Sequence, residues 1–287
     1  MSRPKILLTG SAGQLGFELA KTLTAHAQVV ARDHATLDLA DPDALVAAVR
    51  GIRPHIIVNA AAYTAVDRAE SEPERAYAVN AVAPGILAEE ARRLDALLIH
   101  FSTDYVFDGK ATAPYAEDDQ TGPLNVYGQS KLAGERAIAQ GGASSLILRT
   151  SWIYGLRGSN FLLTIRRLAT ERDELKIVAD QFGVPNWSRA LARATAELVG
   201  RGLPVLNERA GVYHMSAKGS ASWFEFACAI IGDKPHPRVA PIETSDYPMA
   251  ARRPAYAVLG TSKLEAAFGL RLGHWRELLA ACLASGP

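Results

Sequence analysis

Short apolar runs alternate with longer amphipathic runs along the first half of the chain. The apolar runs are rich in Ile, Leu and Val, which is typical of parallel strands buried on both faces. They lie at residues 5–9, 28–32, 55–59, 97–101 and 146–150. The amphipathic runs between them predict helices at residues 17–23, 42–50, 67–80 and 84–93. This alternation predicts an α/β fold of the Rossmann type, a doubly wound parallel sheet that binds ligands at the carboxyl ends of its strands.

The second half of the chain has a less regular pattern. Strands are predicted at residues 175–178 and 211–215, and helices at 160–168, 189–199 and 222–231. Ser188 is expected to cap the helix that follows it. Prolines at positions 235, 237, 241 and 248 indicate an irregular stretch. No Pro/Gly-rich linker marks a domain boundary in this half.

Three glycines at a spacing of three residues follow the first predicted strand. Gly10 would permit the tight turn, Gly13 the close approach of a pyrophosphate, and Gly16 the packing of helix on strand. The helix N-terminus that follows supplies free N–H groups and a favourable dipole for phosphate. Because the order is strand, glycine turn, helix, the motif predicts a dinucleotide site, to which Gln14 and Leu15 are also assigned.

The end of the second predicted strand bears on the choice of cofactor. Asp33 is placed to hold an adenine ribose 2′-hydroxyl, as in NAD, whereas Arg32 beside it could accept a 2′-phosphate, as in NADP. These two residues point to opposite cofactors, so the sequence leaves NADPH and NADH open. Further cofactor contacts are assigned to the loop with Asp38 and Leu39 and to the small side chains after the third strand, Ala61 and Ala62, with Tyr63.

A candidate acid–base pair follows the fourth strand. Tyr127 and Lys131 are four residues apart on a predicted helix and therefore share one face. A phenol titrates near pH 10, and a neighbouring ammonium would lower its pKa, which would let Tyr127 act as a general acid or base. Thr103, at the end of the fourth strand, could donate a hydrogen bond to the same substrate oxygen. A Tyr-x-x-x-Lys pattern alone is weak, and its position in a dinucleotide fold is what favours catalysis.

The combination of glycine motif, strand-end Thr103 and Tyr127-x-x-x-Lys131 resembles the extended short-chain dehydrogenases/reductases. Within that superfamily, longer segments resemble the dTDP-4-dehydrorhamnose reductase family over nearly the whole chain. These segments are Asn59–Asp67, Ser102–Gly109, Pro123–Glu135, Arg149–Tyr154 and Asp180–Pro185. The resemblance implies a dinucleotide-binding domain at residues 1–150, with later segments crossing back into it. Residues 151–287 would mainly form a smaller, sugar-nucleotide-binding C-terminal domain.

The resemblance also implies a reaction and a substrate site. The C4 ketone of dTDP-4-dehydro-β-L-rhamnose would be reduced to dTDP-L-rhamnose by hydride from NADPH or NADH, the last step of dTDP-rhamnose synthesis for surface polysaccharides such as lipopolysaccharide. Tyr127 would give the proton, Lys131 would hold the nicotinamide ribose, and Thr103 would orient the carbonyl. Substrate contacts would further come from four residues, Asp104, Trp152, Asn160 and Arg253. The guanidinium of Arg253 could bind the diphosphate through two hydrogen bonds. The alternative interpretation is that Arg253 belongs to a solvated basic turn.

One departure separates this chain from the nucleotide-sugar 4,6-dehydratases, which carry Thr-Asp-Glu at the equivalent place. Here the Glu position is Tyr105, so the carboxylate needed for elimination is missing while carbonyl reduction needs none. Two alternatives stay open. The first is a non-catalytic NADP-binding regulatory subunit, against which the intact Thr103, Tyr127 and Lys131 argue. The second is another nucleotide-sugar reductase or epimerase.

Composition and charge restrict the remaining possibilities. The chain has 287 residues, of which 48% are hydrophobic, and a net charge of +1 gives no reason to expect binding to nucleic acid or membrane. Cys228 and Cys282 lie in apolar helical patterns and are expected to be free thiols in a reducing cytoplasm. The N-terminal apolar run is too short for a signal peptide, and no segment is long enough for a membrane span.

The residues at two positions, 18 and 189, bear on oligomerisation and metal binding. Some relatives form dimers bridged by a metal ion on acidic residues, one of them early in the first helix, where Glu18 stands. Arg189 stands where another acidic partner is expected, which puts a bridging Mg²⁺ in doubt. We therefore assign no metal site and leave monomer and homodimer open.

Overall fold

The computed structural model describes residues 3–233 and 235–286 of the chain. Its strands are β1 (Lys5–Thr9), β2 (Gln28–Arg32), β3 (Ile56–Asn59), β4 (Leu97–Thr103), β5 (Ser145–Thr150), β6 (Ile153–Tyr154), β7 (Glu174–Val178), β8 (Phe182–Gly183), β9 (Asn186–Trp187), β10 (Gly211–His214), β11 (Ala221–Ser222) and β12 (Arg238–Ile242). Its helices are α1 (Gln14–Thr22), α2 (Pro42–Ile52), α3 (Val66–Ala69), α4 (Pro73–Tyr77), α5 (Ala83–Arg93), α6 (Val126–Gly141), α7 (Phe161–Glu171), α8 (Ser188–Gly200), α9 (Leu203–Glu208), α10 (Trp223–Ile231), α11 (Ser262–Phe268) and α12 (Trp275–Ala284).

Six strands form one parallel sheet in the order β10-β5-β4-β3-β1-β2. The chain runs outward from β1 to β2 on one side and then returns to continue through β3, β4 and β5 on the other. The direction of winding therefore reverses between β1 and β3, and in such sheets ligands bind at the carboxyl ends on either side of this point. The Rossmann-type parallel sheet predicted from the sequence is confirmed.

Apolar side chains cover both faces of the sheet, which is why its strands read as continuous hydrophobic runs. All seven residues of β4 are buried, and so are all four of β3. One apolar cluster packs α1 and α8 against the first face, and another packs α2, α5 and α6 against the second. Since β10 extends this sheet and α8 packs on α1, residues 188–214 lie with the first half of the chain.

A separate apolar cluster forms the smaller part of the molecule. It joins α7, α10 and α12 to the short strands between them, around large side chains such as Tyr154, Phe226 and Trp275. Three of its two-stranded pairings involve strands that the sequence did not predict, namely β8 with β11, β6 with β9, and β12 with β7. The prolines around β12 predict an irregular stretch, but Arg238–Ile242 pairs in parallel with β7.

Several predicted boundaries are wrong for local reasons. The helix predicted at 67–80 is broken into α3 and α4, with Pro73 at the start of α4, and then passes through a π-helical segment at Ala78–Val82 into α5. Helix α2 runs past Gly51 to Ile52, and Arg53 closes it in a left-handed conformation. Ser188 is the first residue of α8 and not its cap, which is Trp187.

Helix α6 is joined to the sheet by a buried ion pair. Glu135 of α6 accepts hydrogen bonds from Arg149 of β5 at 2.7 and 2.9 Å and from the Ser102 hydroxyl of β4 at 2.5 Å. The side chains of Glu135 and Arg149 are only 6% and 5% exposed. Because two strands and the helix share one set of charge-assisted bonds, the N-terminal turns of α6 are held in a single register against β4.

We expect the Glu135→Ala variant to be destabilised by about 3–5 kcal/mol, since it leaves the Arg149 guanidinium buried without a counter-charge. Urea unfolding of the wild-type chain and the variant measures the difference. Glu171→Ala is the matched control, because it removes the carboxylate of an exposed pair with Arg167 and should cost no more than about 1 kcal/mol. Equal losses in the two variants would contradict an anchoring role for Glu135.

Candidate active site

A cleft of about 790 Å³ opens at the carboxyl ends of the strands, where the winding of the sheet reverses. Of the residues assigned to the site from the sequence, fourteen line it, and five do not. The fourteen are Gly10, Gly13, Gln14, Leu15, Asp38, Leu39, Ala61, Ala62, Tyr63, Thr103, Asp104, Tyr127, Trp152 and Asn160. The five that lie outside the lining are Gly16, Arg32, Asp33, Lys131 and Arg253.

The glycine turn between β1 and α1 forms one wall of the cleft. Gly10 has a φ of +72°, and a Cβ on it would lie 2.7 Å from the Ala61 backbone. A Cβ on Gly16 would lie 2.0 Å from the carbonyl oxygen of Gly10, so Gly16 acts behind the wall by letting α1 pack on the turn. Gly13 caps α1 and brings no side chain, which leaves the helix N-terminus facing the cleft. This cradle fits the phosphates of a dinucleotide.

The adenosine end differs from the sequence prediction. The Asp33 carboxylate accepts hydrogen bonds from the Thr36 N–H at 3.0 Å and the Thr36 hydroxyl at 2.8 Å, and it closes its own turn. Arg32 folds back to the Ala31 carbonyl at 3.2 Å. The polar side chains that reach the cleft from this loop are instead His34 and Asp38, 3.5 Å apart, beside the apolar Leu37 and Leu39. Neither of the two residues used to weigh NADPH against NADH therefore lines the cleft.

Thr103 and Asp104 stand at the end of β4, in the middle of the cleft. The Thr103 hydroxyl donates to Asp104 Oδ1 at 3.0 Å and accepts from the Tyr105 N–H at 3.1 Å. The other carboxyl oxygen, Asp104 Oδ2, is buried with no hydrogen-bond partner among the described residues. Burial raises the pKa of Asp104 to about 7, although Thr103 and nearby N–H groups act in the opposite direction.

Tyr127 is placed beside Thr103 by the start of α6. Asn125 caps the helix by accepting from the Gly128 N–H at 2.8 Å, and the Tyr127 ring packs edge-on against Tyr105 with centroids 5.7 Å apart. Burial raises the pKa of Tyr127 to about 12, the Thr103 hydroxyl lowers it, and the Asp104 carboxylate raises it further. Lys131 is not among the causes of this shift, so a lowering of the Tyr127 pKa by Lys131 stays a prediction, and the phenol is a protonated donor at neutral pH.

Lys131 lies behind Tyr127 and is only 1% exposed. Its Nζ donates to the Phe101 carbonyl at 2.6 Å and lies 3.1 Å from His100 Nε2. Burial lowers the pKa of Lys131 to about 8, while Glu135 acts to raise it. Lys131 is thus a buried group whose ammonium can lose its proton only slightly above neutral pH.

An aromatic pair, Trp152 and Trp223, also lines the cleft. Trp152 adopts a φ of 41° and stacks on Trp223, with centroids 3.5 Å apart and planes inclined by 8°. A Cβ on Gly183 would lie 2.6 Å from the Trp152 ring, so this glycine leaves the room that the indole occupies. Trp223 was missed in the sequence, although the Ser222–Glu225 capping box marks it as the first residue of α10.

Two residues assigned to the substrate are engaged by the protein itself. Asn160 caps α7, and its amide donates to Gln14 Oε1 at 2.8 Å within the lining. The Arg253 guanidinium forms a two-pronged pair with Asp67 at 2.7 and 2.9 Å and does not reach the cleft lining. A substrate contact by Arg253 stays a prediction that would require this pair to open.

Other residues of the lining were not assigned to the site from the sequence. They come from loops and helix ends that only the fold brings together: Ala12, Thr64, Val66, Arg75, Val79 and Ser159. Away from the cleft, Arg189 Nε donates to Glu18 at 3.1 Å, so the Glu18 carboxylate is paired within the chain. Among residues 3–233 and 235–286, no cluster of three His, Cys, Asp or Glu could hold a metal ion. Nor does any helix in these ranges have the length and apolarity needed to cross a membrane.

A Rossmann sheet with a glycine cradle, a strand-end Thr and a helical Tyr–Lys pair defines the class of extended short-chain dehydrogenases/reductases. A family model described as the RmlD substrate binding domain matches residues 4–286. The chain belongs to this family, the dTDP-4-dehydrorhamnose reductases.

Individual relatives resemble the chain over nearly their whole length. It is 48% identical to a dTDP-4-dehydrorhamnose reductase of Burkholderia thailandensis, covering 97% of this chain and 98% of the relative. It is 43% identical to the Escherichia coli K12 reductase, with 94% of each covered. A crystal structure of the Bacillus anthracis reductase in complex with NADP superimposes with a TM-score of 0.92 at 36% identity, covering 99% of both chains.

We expect Gly16→Ala to weaken binding of a reduced nicotinamide dinucleotide at least tenfold and to cost about 1–3 kcal/mol of stability, because the new methyl group would collide with the Gly10 carbonyl. Fluorescence titration with the reduced dinucleotide and urea unfolding measure the two effects. Gly51→Ala is the control, since nothing lies within 4 Å of its Cβ and a helical alanine should stabilise by up to about 1 kcal/mol. Unaltered binding in Gly16→Ala would show that the turn does not shape the site.

Asp104→Asn should stabilise the protein increasingly as the pH rises from about 4 to about 7. In this range the folded Asp104 holds a proton that the unfolded chain has lost, so the wild-type stability falls with pH by up to about 1.4 kcal/mol per unit from this group. An asparagine does not titrate, so the variant lacks this loss of stability with rising pH. Urea unfolding of both chains at several pH values checks it, and a stability difference that is flat with pH would contradict the raised pKa.

Proposed function

We propose that the protein reduces the C4 ketone of dTDP-4-dehydro-β-L-rhamnose to dTDP-L-rhamnose, the last step of dTDP-rhamnose synthesis for surface polysaccharide. The observation that carries this proposal is the meeting of Thr103 and Tyr127 at one point of the cleft, beside the glycine cradle of Gly10 and Gly13. Membership of the reductase family supports the choice of substrate.

The cleft residues fit a nicotinamide dinucleotide, which would supply the hydride when bound. Gly10, Gly13 and the N-terminus of α1 would hold its diphosphate, and the small side chains Ala61 and Ala62 would let it pass. The relative from Bacillus anthracis was crystallised with NADP, which supports NADPH. NADH stays possible, because neither Arg32 nor Asp33 lines the cleft to decide between them.

Tyr127 would act as the general acid of the reduction. Its raised pKa keeps the phenol protonated at neutral pH, and this is the state required to give a proton to a carbonyl oxygen as hydride reaches the carbon. Thr103 lies beside the phenol and would donate a hydrogen bond to the same oxygen. Lys131, one helical turn further along α6, would hold the nicotinamide ribose and influence the proton balance of Tyr127.

The sugar would lie between the end of β4 and the aromatic pair. Asp104 Oδ2 is buried and has no hydrogen-bond partner among the described residues, so it would bind a sugar hydroxyl as acceptor or donor. Trp152, stacked on Trp223, offers an apolar face and one N–H. Tyr105 occupies the position at which dehydratases carry the eliminating carboxylate, and this supports simple reduction.

We expect the protein to be cytoplasmic, since Cys228 and Cys282 are both free thiols. Its assembly is expected to be a monomer or a homodimer. A metal-bridged dimer is not part of the proposal, because Glu18 already pairs with Arg189. No observation favours the regulatory-subunit alternative, and the family relatives named above are reductases.

The Tyr127→Phe variant is expected to lose at least 10³-fold in kcat while keeping its affinity for NADPH within about twofold, because only the transferable proton is removed. The assay follows NADPH and NADH oxidation with dTDP-4-dehydrorhamnose made in situ by its upstream enzymes. Tyr213→Phe is the control, as its hydroxyl binds the Arg209 carbonyl away from the cleft. Turnover near the wild-type rate in Tyr127→Phe would overturn the assigned role, and no oxidation by the wild-type chain would overturn the reaction.

A further inference from the structure

His100 is a polar residue at the centre of the sheet that has no place in the mechanism described so far. It lies within β4, is fully buried, and does not line the cleft. Its ring contacts two side chains, with Nε2 3.1 Å from Lys131 Nζ and Nδ1 3.0 Å from Asn59 Nδ2. The Asn59 amide oxygen in turn accepts from the Thr9 hydroxyl at 2.6 Å.

These side chains form a continuous row across the sheet. Thr9 of β1 is the register partner of Asn59 in β3, and Asn59 is the partner of His100 in β4. Lys131 of α6 ends the row. A chain of buried polar groups in such a position is costly unless every member is satisfied, so the arrangement of its hydrogens is constrained.

The direction of the hydrogen bonds follows from one backbone group. The Ala61 N–H, 3.3 Å from Asn59 Oδ1, can only donate, and it therefore holds the amide oxygen of Asn59 on that side. The amide NH₂ then faces His100 and donates to Nδ1. With Nδ1 accepting, the neutral imidazole carries its hydrogen on Nε2, the atom that faces Lys131.

The ring is neutral for a physical reason. Burial is the largest cause that lowers the pKa of His100 well below its ordinary value, and whatever fraction of Lys131 is charged acts in the same direction. An imidazole N–H opposite an ammonium would bring two donors together without an acceptor. A lysine amine, in contrast, has a lone pair that can accept from Nε2 while its own N–H donates to the Phe101 carbonyl at 2.6 Å.

The other charges around Lys131 do not account for an amine. Glu135, one turn further along α6, favours the ammonium, and its effect is moderated because Arg149 holds it at 2.7 Å. Tyr127, one turn earlier, is neutral at working pH, and Asp104 acts on Tyr127 from the cleft side. Burial is what lowers the pKa of Lys131, and the geometry adds the Nε2–H of His100, 3.1 Å away, from which the amine can accept a hydrogen bond.

We propose that His100 is a positioning residue whose Nε2–H, fixed by Asn59, binds the amine form of Lys131 and so lets this lysine exchange a proton near neutral pH. The proposal rests on the proposed function for the importance of Lys131, but its content is the protonation of one side chain and can be tested without turnover. Under this proposal, side chains of β3 and β4 determine the protonation state of Lys131.

The test is an NMR titration of the protein alone, with ¹³C- and ¹⁵N-labelled lysine and the Lys131 signal assigned from a Lys131→Arg variant. The wild-type midpoint is expected near pH 8. In His100→Gln the side-chain amide can turn its oxygen to Lys131 and accept from the ammonium, so the midpoint should rise by about one pH unit or more. A change of less than about 0.3 unit in a folded variant would overturn the proposal.

His214→Gln is the matched control, because His214 is an equally buried histidine whose ring binds the Gly260 carbonyl at 3.1 Å and not Lys131. The Lys131 midpoint should not move in it, and an equal rise there would overturn the proposal by showing a general effect of replacing a core histidine. If His100→Gln fails to fold, the ¹⁵N shifts of His100 in the wild-type chain decide. A hydrogen on Nε2 supports the proposal, and a hydrogen on Nδ1 contradicts it.

Turnover measurements separate this proposal from the proposed function. If the reaction is as proposed, the alkaline limb of kcat/KM in His100→Gln should move to higher pH in step with the Lys131 midpoint. A shifted midpoint with no reductase activity in the wild-type chain would leave the role of His100 standing and overturn the reaction. An active wild-type enzyme in which His100→Gln leaves the Lys131 midpoint unchanged would support the reaction and overturn the role of His100.

Discussion

The seating of α6 on β4 is the constraint on which the rest of the site depends. Glu135 binds Ser102 and Arg149, and Lys131 binds the Phe101 carbonyl, so two residues of the helix are tied to two strands inside the protein. These bonds lie where water cannot compete with them. Tyr127 meets Thr103 only because the helix that carries one is held in register with the strand that carries the other.

Close approach of backbones is the second requirement of the site. The turn after β1 lies against the segment after β3, and α1 lies against that turn, at distances that leave no room for a methyl group on Gly10 or Gly16. A similar contact occurs between α6 and the π-helical segment, where a Cβ on Gly134 would lie 2.0 Å from the Asn80 carbonyl. The Asn80 side chain there binds the Tyr63 backbone and Ser130, and it thereby links the cofactor wall to the catalytic helix.

Three titratable groups of the site are buried, although burial disfavours their charged forms. Asp104, Tyr127 and Lys131 all have pKa values shifted toward their neutral forms, and burial is the largest cause for each of them. Such shifts reduce stability at the pH at which the group would otherwise be charged. Perturbed groups gathered in one cleft are typical of catalytic sites, and here they coincide with the residues that family resemblance assigns to the chemistry.

The alternation of apolar and amphipathic runs was sufficient to predict the Rossmann sheet, because buried parallel strands need continuous apolar sequence and their helices need one apolar face. Short-range motifs likewise predicted Gly10, Thr103 and Tyr127 as site residues, and all three line the cleft. What only the tertiary structure decided are the relations across the sheet. The Asp33 carboxylate binds within its own turn, Arg253 pairs with a residue 186 positions away, and His100 of β4 faces Lys131 of α6. Local sequence cannot predict such partners, because the free energy of a buried polar group is set by whichever distant atoms the fold brings within hydrogen-bonding distance.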